Sequence, residues 1–248
     1  PITPAAEWLA DNYHLVEDQI REIRLDLPEG YYRQLPELTE GPMNGLPRVF
    51  ELAWTYVAHT DSRFDVTLLR RFINAYQDVQ VLTIGELWAV AITLRIMLVE
   101  NLKRATQRIT TAQEERARAD SLADQLLAAK PDDLLAIPAL LKPLDSKPLS
   151  PTFSAQLIKQ LRDQDPNLMP VMQWLEKKLQ LQSTTSDAVV QAEHLRQAGM
   201  SVTVRNIITS MRHISAIDWA DVFESVSVVD RTLRQHTAFA HMDFATRN

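Results

Sequence analysis

No proline interrupts the chain between Pro47 and Pro131, and one stretch inside that interval limits the possible folds most. Residues 83–104, TIGELWAVAITLRIMLVENLKR, place Leu87, Trp88, Val90, Ala91, Leu94, Met97, Leu98 and Leu102 at helical spacing. Ile92, Ile96 and Val99 extend the apolar surface nearly all round, the pattern of a helix buried inside a larger protein. Thr83 and Glu86 have the spacing of a capping box, in which hydroxyl and carboxylate each satisfy a backbone N–H of the first turn. Gly85, Glu86, Arg95, Glu100 and Asn101 punctuate the run. A spanning helix needs roughly 20 apolar residues with few or no charges, so a buried helix is predicted rather than a membrane span.

The pattern continues as ATQRITTAQEERARADSLADQLLAA, polar and charge-rich. A continuous helix of about 46 residues, roughly 70 Å at about 1.5 Å per residue, is predicted, its second half projecting or pairing with another helix. A break at Thr110–Thr111 is the alternative. Only 5 Gly occur and no segment alternates with period two, so the chain reads as all-α: a multi-helix bundle around a long central helix, with two helical subdomains as a variant.

The other predicted helices cover residues 4–26, 47–60 and 66–79, the last capped by Asp65. A short one falls at 132–141, and others at 152–162, 167–182, 186–198, 203–217 and 218–235. Gly199 is read as a helix stop and Asp218 as a cap or kink. Pro131, Pro138, Pro143, Pro148 and Pro151 mark a linker over residues 131–151, between a subdomain at 1–130 and another at 152–248.

With a net charge of −6 and no strongly basic face, nucleic acid is not an expected partner. The chain has no cysteine, which excludes disulfides and a thiol nucleophile. No basic leader precedes PITPAAEW, and without an initiator Met the chain reads as part of a longer polypeptide. Asp163-Gln164-Asp165 matches the D-x-D of metal–nucleotide sites, but it closes a helix ahead of Pro166 and reads as a cap. Asp132-Asp133 lacks the third carboxylate of a magnesium-binding helix. The six histidines form no metal-binding pair, so neither a metal site nor a catalytic residue is assigned. The tryptophans lie in helical patterns and are expected in the core.

Two loops carry polar and aromatic groups suited to recognition. Tyr31, Tyr32 and Arg33 sit among Pro28, Gly30 and Pro36. They have the means to stack on a sugar ring or to pin the loop to helices. His59, Asp61 and Arg63 form a polar cluster between two helices, suited to turn chemistry or to binding.

The strings EDQIREIRLDLPEGYYRQLPEL, PRVFELAWTYVAHTDSRFD, LTIGELWAVAITLRIMLVENLKR and VTVRNIITSMRHISAIDWADVFESVSVVD, with a terminal MDFATRN, resemble the N-terminal region of the bacterial cyclic β-1,2-glucan synthases. The resemblance covers most of the chain in order and is weakest over residues 110–166. It implies a very large inner-membrane glycosyltransferase that polymerises glucose from UDP-glucose with a divalent metal. A phosphorylase-like region adjusts chain length before the glucan is cyclised and exported to the periplasm. That transferase carries D-x-D and R/Q-x-x-R-W motifs, and the second is absent here. The implied role is therefore a non-catalytic helical region, itself soluble, at the cytoplasmic face of the inner membrane. Its implied partners are the transferase, membrane and phosphorylase-like parts of the same polypeptide. The alternative is a carbohydrate-binding module that holds growing β-1,2-glucan on Tyr31, Tyr32, Arg33, His59, Asp61 and Arg63.

Overall fold

The computed structural model of the chain describes residues 3–27, 30–129, 136–162, 168–242 and 246. Among them the secondary structure is helical, apart from one isolated bridge between Glu37 and Pro47. The Asp132-Asp133 and Asp163–Asp165 pairs lie outside the described residues.

Helix α5, Ile84–Ala128, is a single uninterrupted helix of 45 residues, as the proline-free run predicts. Its capping box forms: Glu86 N donates to Thr83 Oγ1 at 3.2 Å, and Thr83 N donates to Glu86 Oε2 at 2.8 Å. The chain does not divide at the proline-rich stretch as a sequential pair would. Its contacts form one unit of residues 1–104 with 203–248 and another of residues 105–202. Much of the stretch read as a linker packs inside the second unit. Helix α6, Ala136–Leu141, and a 3-10 turn, Lys142–Leu144, lie there, and Leu141 and Leu149 belong to its core.

The first unit opens with α1, Pro4–Asp11, and α2, Tyr13–Asp26, where one helix was expected. Asn12 makes the break. Its side-chain amide donates to Trp8 O at 2.8 Å and closes α1, while its carbonyl oxygen accepts from Arg212. A short side chain that satisfies local backbone groups competes with helix continuation. Then come α3, Arg48–His59, and α4, Val66–Gln77, whose first turn is capped by Asp65 accepting from Leu68 N at 2.9 Å. Residues 84–104 of α5 are buried on most sides, Leu94 to 1% and Leu98 to 2%. Val204, Ile207, Ile208 and Met211 complete the core from the end of α9, Ser186–Ala216. Helices α10, Trp219–Val226, and α11, Val228–Leu233, follow, started by Asp218 and Ser227 as caps. A last turn, α12, covers Thr237–Ala240.

The second unit uses α5 differently. Ala105, Ile109, Ala112, Ala119, Ala123 and Leu126 are buried at alternating steps of three and four residues, with Arg116 on the same seam. That spacing makes a narrow stripe for close helix pairing. The polar half of α5 thus pairs inside its own unit. Its core partners are α7, Pro151–Leu161, α8, Met169–Leu181, and the start of α9, through Phe153, Leu157, Ile158, Leu175 and Leu179.

Three further expectations need correction. Gly199 does not stop a helix, because α9 runs through it from Ser186 to Ala216. The last predicted helix is divided at Ser227, whose hydroxyl accepts from Asp230 N. None of the five tryptophans is fully buried, and Trp88 is 43% exposed with its ring stacked on Phe223 at 4.6 Å. Among the described residues, no helix is long and apolar enough to cross a membrane.

Candidate functional site

Tyr31, Tyr32 and Arg33 form a 3-10 turn that follows Gly30, whose φ of 78° favours a residue without Cβ. Tyr31 OH donates to Gly85 O at 2.7 Å, and Tyr32 OH bonds Thr93 Oγ1 at 3.0 Å. The Tyr32 ring also packs on Phe50 at 4.9 Å. Burial raises the pKa of both phenols above the ordinary value, so both remain neutral hydrogen-bonding groups. Arg33 is exposed. The two rings fasten the turn to α5, the bonding that a pinning role requires.

The 60–65 loop is wired as closely. Asp61 and Ser62 have φ of 47° and 61°, left-handed values uncommon outside glycine. Asp61 Oδ1 accepts from Thr203 at 2.9 Å, and its carbonyl accepts from Asn206 at 3.1 Å. Ser62 Oγ accepts from Asn101 at 2.6 Å, and Ser210 Oγ donates to Ser62 O at 2.6 Å. His59 and Arg63 are exposed.

The structure does not gather the six residues into one place. The tyrosines meet α5 at Gly85 and Thr93, whereas the 60–65 loop meets it at Asn101. Eight to sixteen residues of helix separate these points, roughly 12–24 Å at about 1.5 Å per residue.

Of the six, Arg63 lines a concavity, a groove of about 680 Å³ in the first unit. One wall is the start of α4, with Asp65 and Thr67. The other is the end of α9, with Arg205, Thr209 and His213. Arg63 and Arg205 have no ion-pair partner among the described residues. The groove therefore offers guanidinium donors, hydroxyls and an imidazole, the chemistry of recognition by hydrogen bonding. Arg205, Thr209 and His213 were not singled out from the sequence, although their spacing of four puts them on one helix face. Among the described residues, no cluster of three or more His, Asp or Glu side chains is placed to hold a metal.

Over all 248 residues the chain is 40% identical to a segment of the cyclic beta-(1,2)-glucan synthase NdvB of Rhizobium meliloti (strain 1021). It spans 9% of that protein's length. No family model matches the chain. The resemblance carried by the strings quoted above thus holds along the whole chain.

Proposed function

We propose that this chain, homologous to a segment of a cyclic β-1,2-glucan synthase, is a non-catalytic helical module of such an enzyme. It would act as a scaffold at the cytoplasmic face of the bacterial inner membrane. In this reading it orients the transferase, membrane and phosphorylase-like parts of the same polypeptide, where UDP-glucose and a divalent metal are used. The observation that carries a structural role is the use of Tyr31, Tyr32 and Asp61, groups suited to sugar contact, as internal fasteners of α5 and α9. The exposed apolar side chains Val79, Val81 and Ile84 offer a surface on which another part of the polypeptide would dock.

The test uses the full-length synthase. Val79 is 91% exposed and Val81 50%, so Val79→Glu with Val81→Glu should leave the module folded. Glucan synthesis should fall severalfold while the thermal midpoint of the 248-residue chain stays put. Unchanged synthesis would count against a scaffold acting through this surface. UDP-glucose turnover by the chain alone would overturn the non-catalytic reading.

The groove beside Arg63 favours a second reading, a carbohydrate-binding module for growing β-1,2-glucan. Calorimetric titration of the chain with linear β-1,2-glucan tests it, with Arg63→Ala and Arg205→Ala as variants. Heat that disappears in the variants supports it, and no heat at millimolar glucan argues against it.

A further inference from the structure

A second concavity, of about 410 Å³, lies within the 105–202 unit between Arg116 of α5, helix α7 and the first half of α9. That volume falls in the usual range for small-molecule sites, about 300–1,000 Å³. Its apolar lining is Ala155, Ile158 and Val190. Its polar lining begins with Glu193, which is 4% exposed.

Glu193 is fully engaged. Arg196 grips it with two hydrogen bonds, at 2.7 and 2.8 Å, while Gln197 donates at 2.8 Å and Thr152 at 3.0 Å. Arg116 reaches the same carboxylate with one N–H, at a longer 3.3 Å. The charge of Glu193 is thus met chiefly by Arg196, and among the described residues the other N–H groups of Arg116 at the pocket wall have no partner. Lys159 in the last turn of α7 and Arg162, the residue that follows the helix, line the same pocket. Lys159 has no anionic partner among the described residues. Among the described residues Arg162 pairs with Asp187 at 3.3 Å, a side chain 94% exposed, and such a pair contributes little. Among the described residues, Lys159 is therefore unpaired and Arg162 only weakly paired at this pocket, in a chain whose net charge is −6.

The neutral polar groups have a definite sense as well. Gln156 donates its amide to Asp120 at 2.7 Å, and Gln197 donates its own to Glu193. With one N–H of each amide held by a carboxylate, each side chain still has a carbonyl oxygen able to accept a hydrogen bond from a hydroxyl.

We propose that this pocket binds a small hydroxyl-bearing organic phosphate. Arg116, Lys159 and Arg162 hold the phosphate, and the carbonyls of Gln156 and Gln197 accept from the hydroxyls. The carbon skeleton lies over Ala155, Ile158 and Val190. The site rests on the 105–202 unit alone and does not depend on a scaffold role.

The test is calorimetric titration of the 248-residue chain, at low ionic strength, with glucose 6-phosphate, glucose and inorganic phosphate as probes. The hexose phosphate should bind at least about tenfold more tightly than either part alone, since each part loses one set of charge-assisted or neutral hydrogen bonds. Lys159→Ala with Arg162→Ala, both at exposed positions, should weaken it by about tenfold or more without altering helix content. Absence of binding at millimolar hexose phosphate overturns the proposal, as does unchanged affinity in the double variant. Equal affinity for inorganic phosphate, an anion site with no part for the hydroxyls, overturns it too.

Discussion

Glu86 is 0% exposed, yet its carboxylate accepts from Thr83 N, Thr83 Oγ1 and two guanidinium nitrogens of Arg48. Burial pushes its pKa up, but the bonds from Arg48 and Thr83 outweigh it and leave the carboxyl below the ordinary value. Removing one partner of such a pair strands a buried charge, while replacing both is often tolerated. Glu86→Gln keeps the capping-box geometry and removes the charge, and it should destabilise the chain by about 3 kcal/mol in urea unfolding. Arg48→Met added to it should restore at least half of that loss. A Glu86→Gln variant as stable as the parent would show that the pair is not an anchor. The capping box is legible in sequence because its members are three residues apart. Arg48 is 38 residues away, and nothing local marks it as the partner. The candidate tyrosines were legible in the same limited way. Their loop and residue types favoured pinning over sugar stacking, but the contacts with Gly85 and Thr93 are long-range and nothing local names them. Tyr31→Ala with Tyr32→Ala should therefore lower stability by roughly 3 kcal/mol or more, because it removes two hydrogen bonds and a ring packed on Phe50. A double variant that melts with the parent would free the loop for a binding role.

Helix α9 is where element-level reading went astray. Gly199 resembles a C-cap by residue type, yet the helix continues, because residues on both sides are held by packing: Val189 and Glu193 before it, Val204 and Ile207 after it. Glycine propensity amounts to about 1 kcal/mol, which a buried apolar face easily exceeds. A Cβ added at Gly199 meets nothing within 4 Å, and its φ is an ordinary one. Gly199→Ala should accordingly stabilise the chain by roughly 0.5–1 kcal/mol, read as a raised thermal midpoint. A lowered midpoint would mean that α9 does not run straight through this residue. Helix α5 was legible for the opposite reason: its cap, its apolar first half and the proline-free run all agree. Its alanine seam was also present in the sequence, but small residues among charges left projection and helix pairing equally open until α7, α8 and α9 are laid beside them. Asn12 escaped notice because one buried polar side chain ended α1 within a pattern that otherwise fits a single helix.

Among the described residues, each unit holds a buried glutamate fixed by arginine, Glu86 with Arg48 in one and Glu193 with Arg196 in the other. At Glu193, burial pushes the pKa up, and the bonds from Arg196, Gln197 and Thr152 more than reverse it, leaving the carboxyl at about 2 against an ordinary 4.5. A folded-state pKa below the unfolded one gives stability that is complete above the unfolded value and is lost as pH falls through the folded one. For Glu193 the window runs from about pH 4.5 down to about pH 2, and the contribution is on the order of 3 kcal/mol. Glu86 acts in the same direction, so both units should weaken under acid. Between pH 7 and this window the net charge also passes from −6 to positive, and self-repulsion adds to the loss as it grows. Urea midpoints measured from pH 7 to pH 2.5 should hold steady above about pH 5 and then fall. Glu193→Gln should be less stable at pH 7 and lose less between pH 4.5 and 2.5, because the titrating group is gone. If its profile instead ran parallel to the parent's, the bonds from Arg196, Gln197 and Thr152 would not be what holds the Glu193 carboxyl charged.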